Sequence, residues 1–471
     1  MSYNTNRQGG FGGRSNRGRS NRGGRGGNHS YTTNHTTSTG RSSGYSYSSS
    51  IGNEVCRRYL DGGKCTFEQT SGGRSCRYPH FIKTIGETHG HNGPIKDVTM
   101  WRERQQLFTC SADASIKLWD CATWQEITTI HVQDTITSSC LGPSTSGTGT
   151  AGGAAGAGGA RGTNGRDQGR DQGHKFREKK MIHTEGVVAL VLCGPFLFAG
   201  FEGRFPSNHQ VSIGMVRGWN LENPQALPFE FLASDMMPFA HTMNVQALAV
   251  ATDSTGNATL FSGSADGCIR YWQMDTVTNQ FKCRGVMEGH VRGVTRLKTF
   301  AVGGISILAS ASVDSTIRLW DLATYQCVKV LSAEENGHTE AVMDLEFWVN
   351  NNETFLISGG LDSEIIVWSL TPPFQQLFKE MQDSQVTALC GTQDAAQSPI
   401  LLIGMADGTI SVKELPSFAY KTTLGANLNR GHQDAVRRIT TGPSNTFFST
   451  GNDRKMIAWQ ITGDAASIQS K

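Results

Sequence analysis

No stretch of these 471 residues approaches the roughly 18 consecutive apolar residues of a membrane-spanning helix, so no membrane contact is expected. The opening residues, MSYNTNRQGG, have neither the apolar centre of a secretory leader nor the amphipathic pattern of an organelle-targeting segment. A nuclear or cytoplasmic address is therefore the expectation. Catalytic patterns are missing as well. There is no phosphate-binding glycine loop, no isolated nucleophile beside a base and no metal set with an open position, which argues against an enzyme and against a small-molecule substrate. The first 50 residues contain no Asp or Glu at all.

Clustered cysteine is scarce too. Eight of the eleven cysteines stand alone: Cys110, Cys121, Cys140, Cys193, Cys268, Cys283, Cys327 and Cys390. In a reducing compartment such thiols act as small buried hydrophobes more often than as disulfide halves. Only Cys56, Cys65 and Cys76 fall close together.

What is present is unevenly charged. The formal net charge of +3 divides into +7 on residues 1–50, +2 on 54–80 and +4 on 143–180, leaving −10 on the rest. A polyanion should meet the basic tail rather than the acidic body. Residues 1–52, with GGFGGRSNRGRSNRGGRGG followed by a Ser/Thr/Tyr/Gly run, carry too little apolar surface to offset ordering entropy and are expected to be disordered. Residues 143–180 open with a comparable run and read as a tolerated surface insert.

The remainder repeats. LFTCSADASIKLWD (107–120), LFSGSADGCIRYWQ (260–273), LASASVDSTIRLWD (308–321), LISGGLDSEIIVWS (356–369) and FFSTGNDRKMIAWQ (447–460) align without a gap. Each holds Ser or Thr, Asp four residues later and Trp six after that. A histidine lies upstream of each: His91, His241, His290, His338 and His432. Two further units, around Trp219 and around Asp407, keep the strands but lose most of the set; Ile403 and Lys413 stand where Ser and Trp belong. Short apolar strands at this period are the mark of propeller blades, and the count is seven.

These residues resemble the WD40 repeat family over most of 82–462, with 463–471 as a C-terminal tail. The resemblance implies an all-β seven-bladed propeller. It also implies a bracing hydrogen-bond role for the His–Ser–Asp–Trp set, which five copies favour over catalysis. The last repeat ends after three strands, so FIKTI (81–85) is expected to supply the fourth and close the ring.

The cysteine cluster, placed in 53–81, reads Cys56-x8-Cys65-x10-Cys76-x3-His80. Three thiolates and one imidazole make a closed tetrahedral set suited to structural Zn2+. GKC (63–65) and CRYPH (76–80) resemble CCCH-type zinc fingers, although ten residues separate the second and third cysteines where that family has about five. The extra EQTSGG reads as a looped-out insertion. The resemblance implies single-stranded RNA as ligand, with Tyr59, Phe67 and Tyr78 as stacking rings and Arg57, Arg58, Lys64, Arg74 and Arg77 as charge. Packing of a ring in the finger's own core is the alternative use. The Arg/Gly-rich tail is similar to RGG-type RNA-contacting segments.

A finger ahead of seven WD40 repeats is the layout of CCCH-finger WD40 proteins best known from plants. The reading is a zinc-dependent RNA-binding adaptor whose propeller rim scaffolds protein partners. The alternatives are a ubiquitin-ligase substrate receptor, or a pure protein-interaction scaffold with the finger as a docking module. The Trp-Asp pairs continue as WDCA (119–122) and WDLA (320–323), without the arginine expected of a cullin-adaptor receptor.

Overall fold

The computed structural model describes residues 57–60, 63, 65, 80–132, 183–205, 208–234, 237, 239–253, 255–302, 305–425 and 431–463. The tail (1–52), most of the finger (53–81), the insert (143–180) and residues 464–471 lie outside them. Among the described residues, 28 strands form seven four-stranded antiparallel sheets. Each sheet is a blade: blade 1 at 95–131, blade 2 at 183–230, blade 3 at 245–287, blade 4 at 294–331, blade 5 at 342–381, blade 6 at 386–424 and blade 7 at 436–461. The first strand of every blade packs against the first strands of both neighbours, so these strands line the axis of a closed seven-bladed propeller.

Blade 7 takes its outer strand from the other end of the chain. Ile82–Thr88 pairs antiparallel with Met456–Ile461, from Ile82 opposite Ile461 to Thr88 opposite Met456. The closing strand thus begins one residue later and runs three residues further than the FIKTI motif. The added residues cover the remaining edge of the third strand, which would otherwise expose unpaired backbone groups.

Seven apolar clusters fill the seven seams between adjacent blades. Each repeat tryptophan points into the seam with the preceding blade: Trp272 toward blade 2, Trp320 toward blade 3, Trp368 toward blade 4 and Trp459 toward blade 6. The polar set holds each indole there. Ser310 Oγ accepts from Trp320 Nε1 at 2.8 Å and bonds His290 Nε2 at 2.8 Å, while His290 Nδ1 bonds Asp314 at 3.0 Å. The same four-residue brace recurs at Thr109, Ser262, Ser358 and Ser449. Gly90 lies so close over Trp119 that a Cβ would sit 2.3 Å from Cη2, which explains glycine ahead of the histidine there.

Blades 2 and 6 lack the brace and use a buried cation instead. In blade 2, Arg217 is fully buried, pairs with Glu230 at 3.0 Å and donates to the carbonyl of Val132, just past the outer strand of blade 1. In blade 6, Lys413 occupies the tryptophan position and reaches Glu380 on the outer strand of blade 5 at 2.7 Å. In blade 6 a charge crossing the seam replaces the ring that fills it elsewhere, whereas blade 2 keeps Trp219 in its seam beside the added cation.

Ser310→Ala leaves the buried Trp320 indole N–H and His290 Nε2 without their shared hydroxyl partner; the expected cost is about 1–3 kcal/mol, read from urea unfolding. Acid should act through the aspartates. Burial opposes ionisation of Asp266 and Asp362, but the histidine hydrogen bond and charge outweigh it and hold each carboxyl at about 2, below the ordinary 3.8. Their contribution is complete above about pH 4 and is lost as pH falls through about 2. Asp266→Asn should flatten that limb of the stability–pH curve.

Candidate metal centre and its seat on the ring

Arg57–Leu60 forms a single helical turn directly after Cys56. The turn is closed by the Gly63 N–H, which donates to the Tyr59 carbonyl at 2.7 Å. Gly63 has φ +73, a left-handed conformation that glycine adopts without strain. Leu60 is completely buried, in the same cluster as Phe81, Ile82, Ile400, Leu402, Phe447 and Trp459 at the seam of blades 6 and 7. The Leu60 carbonyl accepts from Thr84 Oγ1 at 2.5 Å, and Tyr59 OH donates to Thr462 Oγ1 at 3.0 Å. The start of the cysteine segment is therefore packed into the propeller and held at both edges of the closing strand pair.

Of the four expected metal ligands, Cys65 is buried and His80 half-buried, while Cys56 and Cys76 lie outside the described residues. The His80 ring stacks flat on Tyr59, centroids 4.2 Å apart and planes 6° from parallel, which fixes its plane. A thiol withdrawn from water and an imidazole held in place suit the thiolate–imidazole donor set of structural Zn2+. Among the described residues, His338, Asp362 and Glu364 also bring ligand atoms within 4.8 Å of one another. That group is the brace of blade 5: His338 is bonded to Asp362 and Ser358, and Glu364 pairs with Lys379 at 2.7 Å.

The expected RNA-contacting residues divide similarly. Tyr59 is committed, with one face on His80 and its hydroxyl on Thr462. Packing accounts for this ring. Arg57 and Arg58 lie on the helical turn, and Lys64, Phe67, Arg74, Arg77 and Tyr78 lie outside the described residues.

A second polar constellation, on the propeller axis, escaped sequence reasoning. Asp97, Arg296, Asp344 and Arg438 come from the first strands of blades 1, 4, 5 and 7. Arg296 lies 2.9 Å from Asp344 and 3.9 Å from Asp97; Arg438 lies 3.4 Å from Asp97 and 3.9 Å from Asp344. Asp97 also accepts from the Leu190 N–H of blade 2, and Asp344 from the Leu389 N–H of blade 6, each at 2.9 Å. One alternating ring of charge thus ties six blades together. Burial penalises the Asp344 carboxylate, yet the Arg296 and Arg438 charges keep its pKa below the ordinary value. The available signal was a charge at the third residue of four first strands, in IKD, VTR, VMD and VRR.

Comparison with known proteins adds the lineage. The family described as "WD domain, G-beta repeat" matches residues 82–120, 236–273, 281–321 and 325–369. The chain is 27% identical over 418 residues to a rice protein (Oryza sativa subsp. japonica) named "Zinc finger CCCH domain-containing protein 17", covering 88% of this chain and 74% of that one. It is 26% identical to two Arabidopsis thaliana proteins, "Zinc finger CCCH domain-containing protein 48" and "62". Those matches cover 88% of this chain and 76% and 78% of the relatives.

Leu60→Ala should cost about 2–5 kcal/mol by opening a cavity at the seam of blades 6 and 7. Tyr59→Phe, which removes only the bond to Thr462, should cost about 1 kcal/mol. Thermal unfolding of the two variants separates packing from hydrogen bonding.

Proposed function

Since the chain carries WD40 repeats closed into a seven-bladed propeller, we propose that it is a zinc-dependent RNA-binding adaptor with protein partners on the propeller rim. The observation that carries this reading is the seating of the cysteine segment on the ring. Leu60, Tyr59 and His80 tie it to the closing strand, so the finger would be presented at a set position instead of trailing from the disc. Cys56, Cys65, Cys76 and His80 would hold Zn2+, which here supplies folding energy and leaves no position for a substrate water.

Charge supports RNA as the ligand. Five bases against three acids in 54–80, and seven arginines without an acid in 1–50, face an otherwise acidic chain. Of the candidate rings, Phe67 and Tyr78 are left to stack on bases, because Tyr59 is occupied. A basic tail on the same chain raises the effective concentration of a weakly binding finger. The curated relatives are named for a CCCH finger, which agrees with zinc in this chain.

The ubiquitin-receptor alternative gains nothing from the hairpins concerned. Asp120 accepts from the Ala122 and Thr123 N–H groups, and Asp321 from the Ala323 N–H and Thr324 Oγ1. Each Trp-Asp aspartate braces its own turn, and no arginine follows. Crosslinking to RNA in cells tests the proposal. The yield should fall at least about tenfold in Cys76→Ser and substantially on removal of residues 1–50. A yield unchanged by both, or a purified protein without stoichiometric zinc, refutes it.

A further inference from the structure

The ring of Asp97, Arg296, Asp344 and Arg438 balances its own charge, and two more cations beside it are left over. Lys96 and Arg437 are the second residues of neighbouring first strands, Ile95–Trp101 and Val436–Thr441, which pack together across the seam of blades 7 and 1. Both sit at a β-bulge, where pairing skips from Ile95 to Asp97 and from Val436 to Arg438. The bulge recurs in the other blades and directs its side chain at the next blade. Thr295 Oγ1 donates to the Val342 carbonyl at 2.5 Å, and Thr387 Oγ1 to the Val436 carbonyl at 2.6 Å. Where blades 4 and 6 place a threonine that bonds its neighbour, blades 7 and 1 place consecutive cations.

Among the described residues, no carboxylate lies within ion-pair distance of Lys96 or Arg437, and both side chains are half-buried. Burial and the Arg437 charge push the Lys96 pKa down, with Glu202 and the Cys110 thiol acting in the opposite sense. Arg437 feels burial first, then Asp434 and Asp97 in partial compensation. Asp97 itself is already engaged by Arg296, Arg438 and two backbone N–H groups. Two adjacent half-buried cations with no carboxylate in ion-pair contact disfavour the ligand-free fold, and a bound anion would relieve them.

We propose that Lys96 and Arg437 form a seat at this end of the axis for the carboxylate side chains of an acidic peptide segment in a partner protein. Two features favour peptide over nucleic acid. The loops before the first strands of blades 3 and 4 open on this same face and expose Met243 (44%) and Val291 (84%), apolar contacts that suit a peptide. The finger's anchor points, Tyr59 on Thr462 and His80 beside the start of the closing strand, lie on the opposite face, at the far ends of the blade 7 strands. The seat and the anchor of the cysteine segment are thereby separate surfaces.

The inference rests on the scaffold reading given above and specifies its partner chemistry. The probe is a fluorescein-labelled peptide alternating glutamate and leucine, titrated by anisotropy into the full-length zinc-loaded chain. Its glutamine counterpart and oligouridylate run alongside. The wild type should bind the glutamate peptide and not the glutamine one. Lys96→Gln/Arg437→Gln should weaken binding about tenfold or more, and Arg284→Gln on an exposed outer strand should leave it unchanged. Lys96→Arg should retain it. The double variant should also melt at the same or a higher temperature, because two repelling charges are gone; Lys96→Met serves as the test if the double variant does not fold.

Equal affinity of wild type and folded variant overturns the proposal, as does no binding of the glutamate peptide. Loss of oligouridylate binding with the peptide unaffected also overturns it, in favour of a nucleic-acid groove. A wild type that recovers protein partners yet ignores the peptide sinks this inference alone and spares the scaffold reading.

Discussion

Closure of the ring by Ile82–Thr88 on Met456–Ile461 is the contact on which both the propeller and the seat of the cysteine segment depend. A seven-bladed sheet array left open would expose two blade edges and one seam, and each seam here is an apolar cluster that needs both sides. The residue that starts the closing strand lies two after the expected ligand His80, so the same pairing that seals the disc also places one end of the cysteine segment. Leu60 sets the other, buried among residues of blades 6 and 7. The seating of Arg57–Leu60 and closure of the ring are thus coupled through shared side chains.

The blades solve one packing problem in two ways. Five place a tryptophan across the seam toward the preceding blade and hold its indole N–H with a Ser or Thr that also serves a histidine. Blade 2 keeps Trp219 in its seam and adds the buried Arg217, and blade 6 places Lys413 at the tryptophan position; each cation reaches the outer edge of the preceding blade. The aliphatic stem of Lys413 fills part of the space that an indole would fill, and its charged head finds Glu380 across the seam. The axis follows a related logic, with four charges from four blades neutralising one another and binding backbone groups of two more. Lys96 and Arg437 break that balance.

Much of this was legible in the repeats. The spacing of Ser or Thr, Asp and Trp marked five blades, the strands around Trp219 and Asp407 marked two more, and the hydrogen-bonded brace is as the resemblance to WD40 repeats implied. The closing strand was legible as a motif, though its length was not, because the pairing partner Met456–Ile461 determines where it stops. The degenerate blades were visible only as losses. Nothing in Lys413 as a letter indicates Glu380, 33 positions earlier, as the group that makes a buried lysine tolerable. Tyr59 shows the same limit at the candidate site: it was legible as an aromatic near the ligands, but its stacking on His80 and its bond to Thr462 are not local facts.

By itself the sequence determined the repeat, and with it a propeller, since the period, the strand pattern and the bracing residues are properties of short segments. It likewise carried the donor set of the finger and the division of charge between tail and body. Only the tertiary structure decided that Leu60 belongs to the propeller's core. It alone also brought four charges together on the axis and left Lys96 beside Arg437 with no carboxylate in ion-pair contact among the described residues. The physical reason is that burial and charge balance arise from residues hundreds of positions apart, meeting at seams that exist only after the ring has closed.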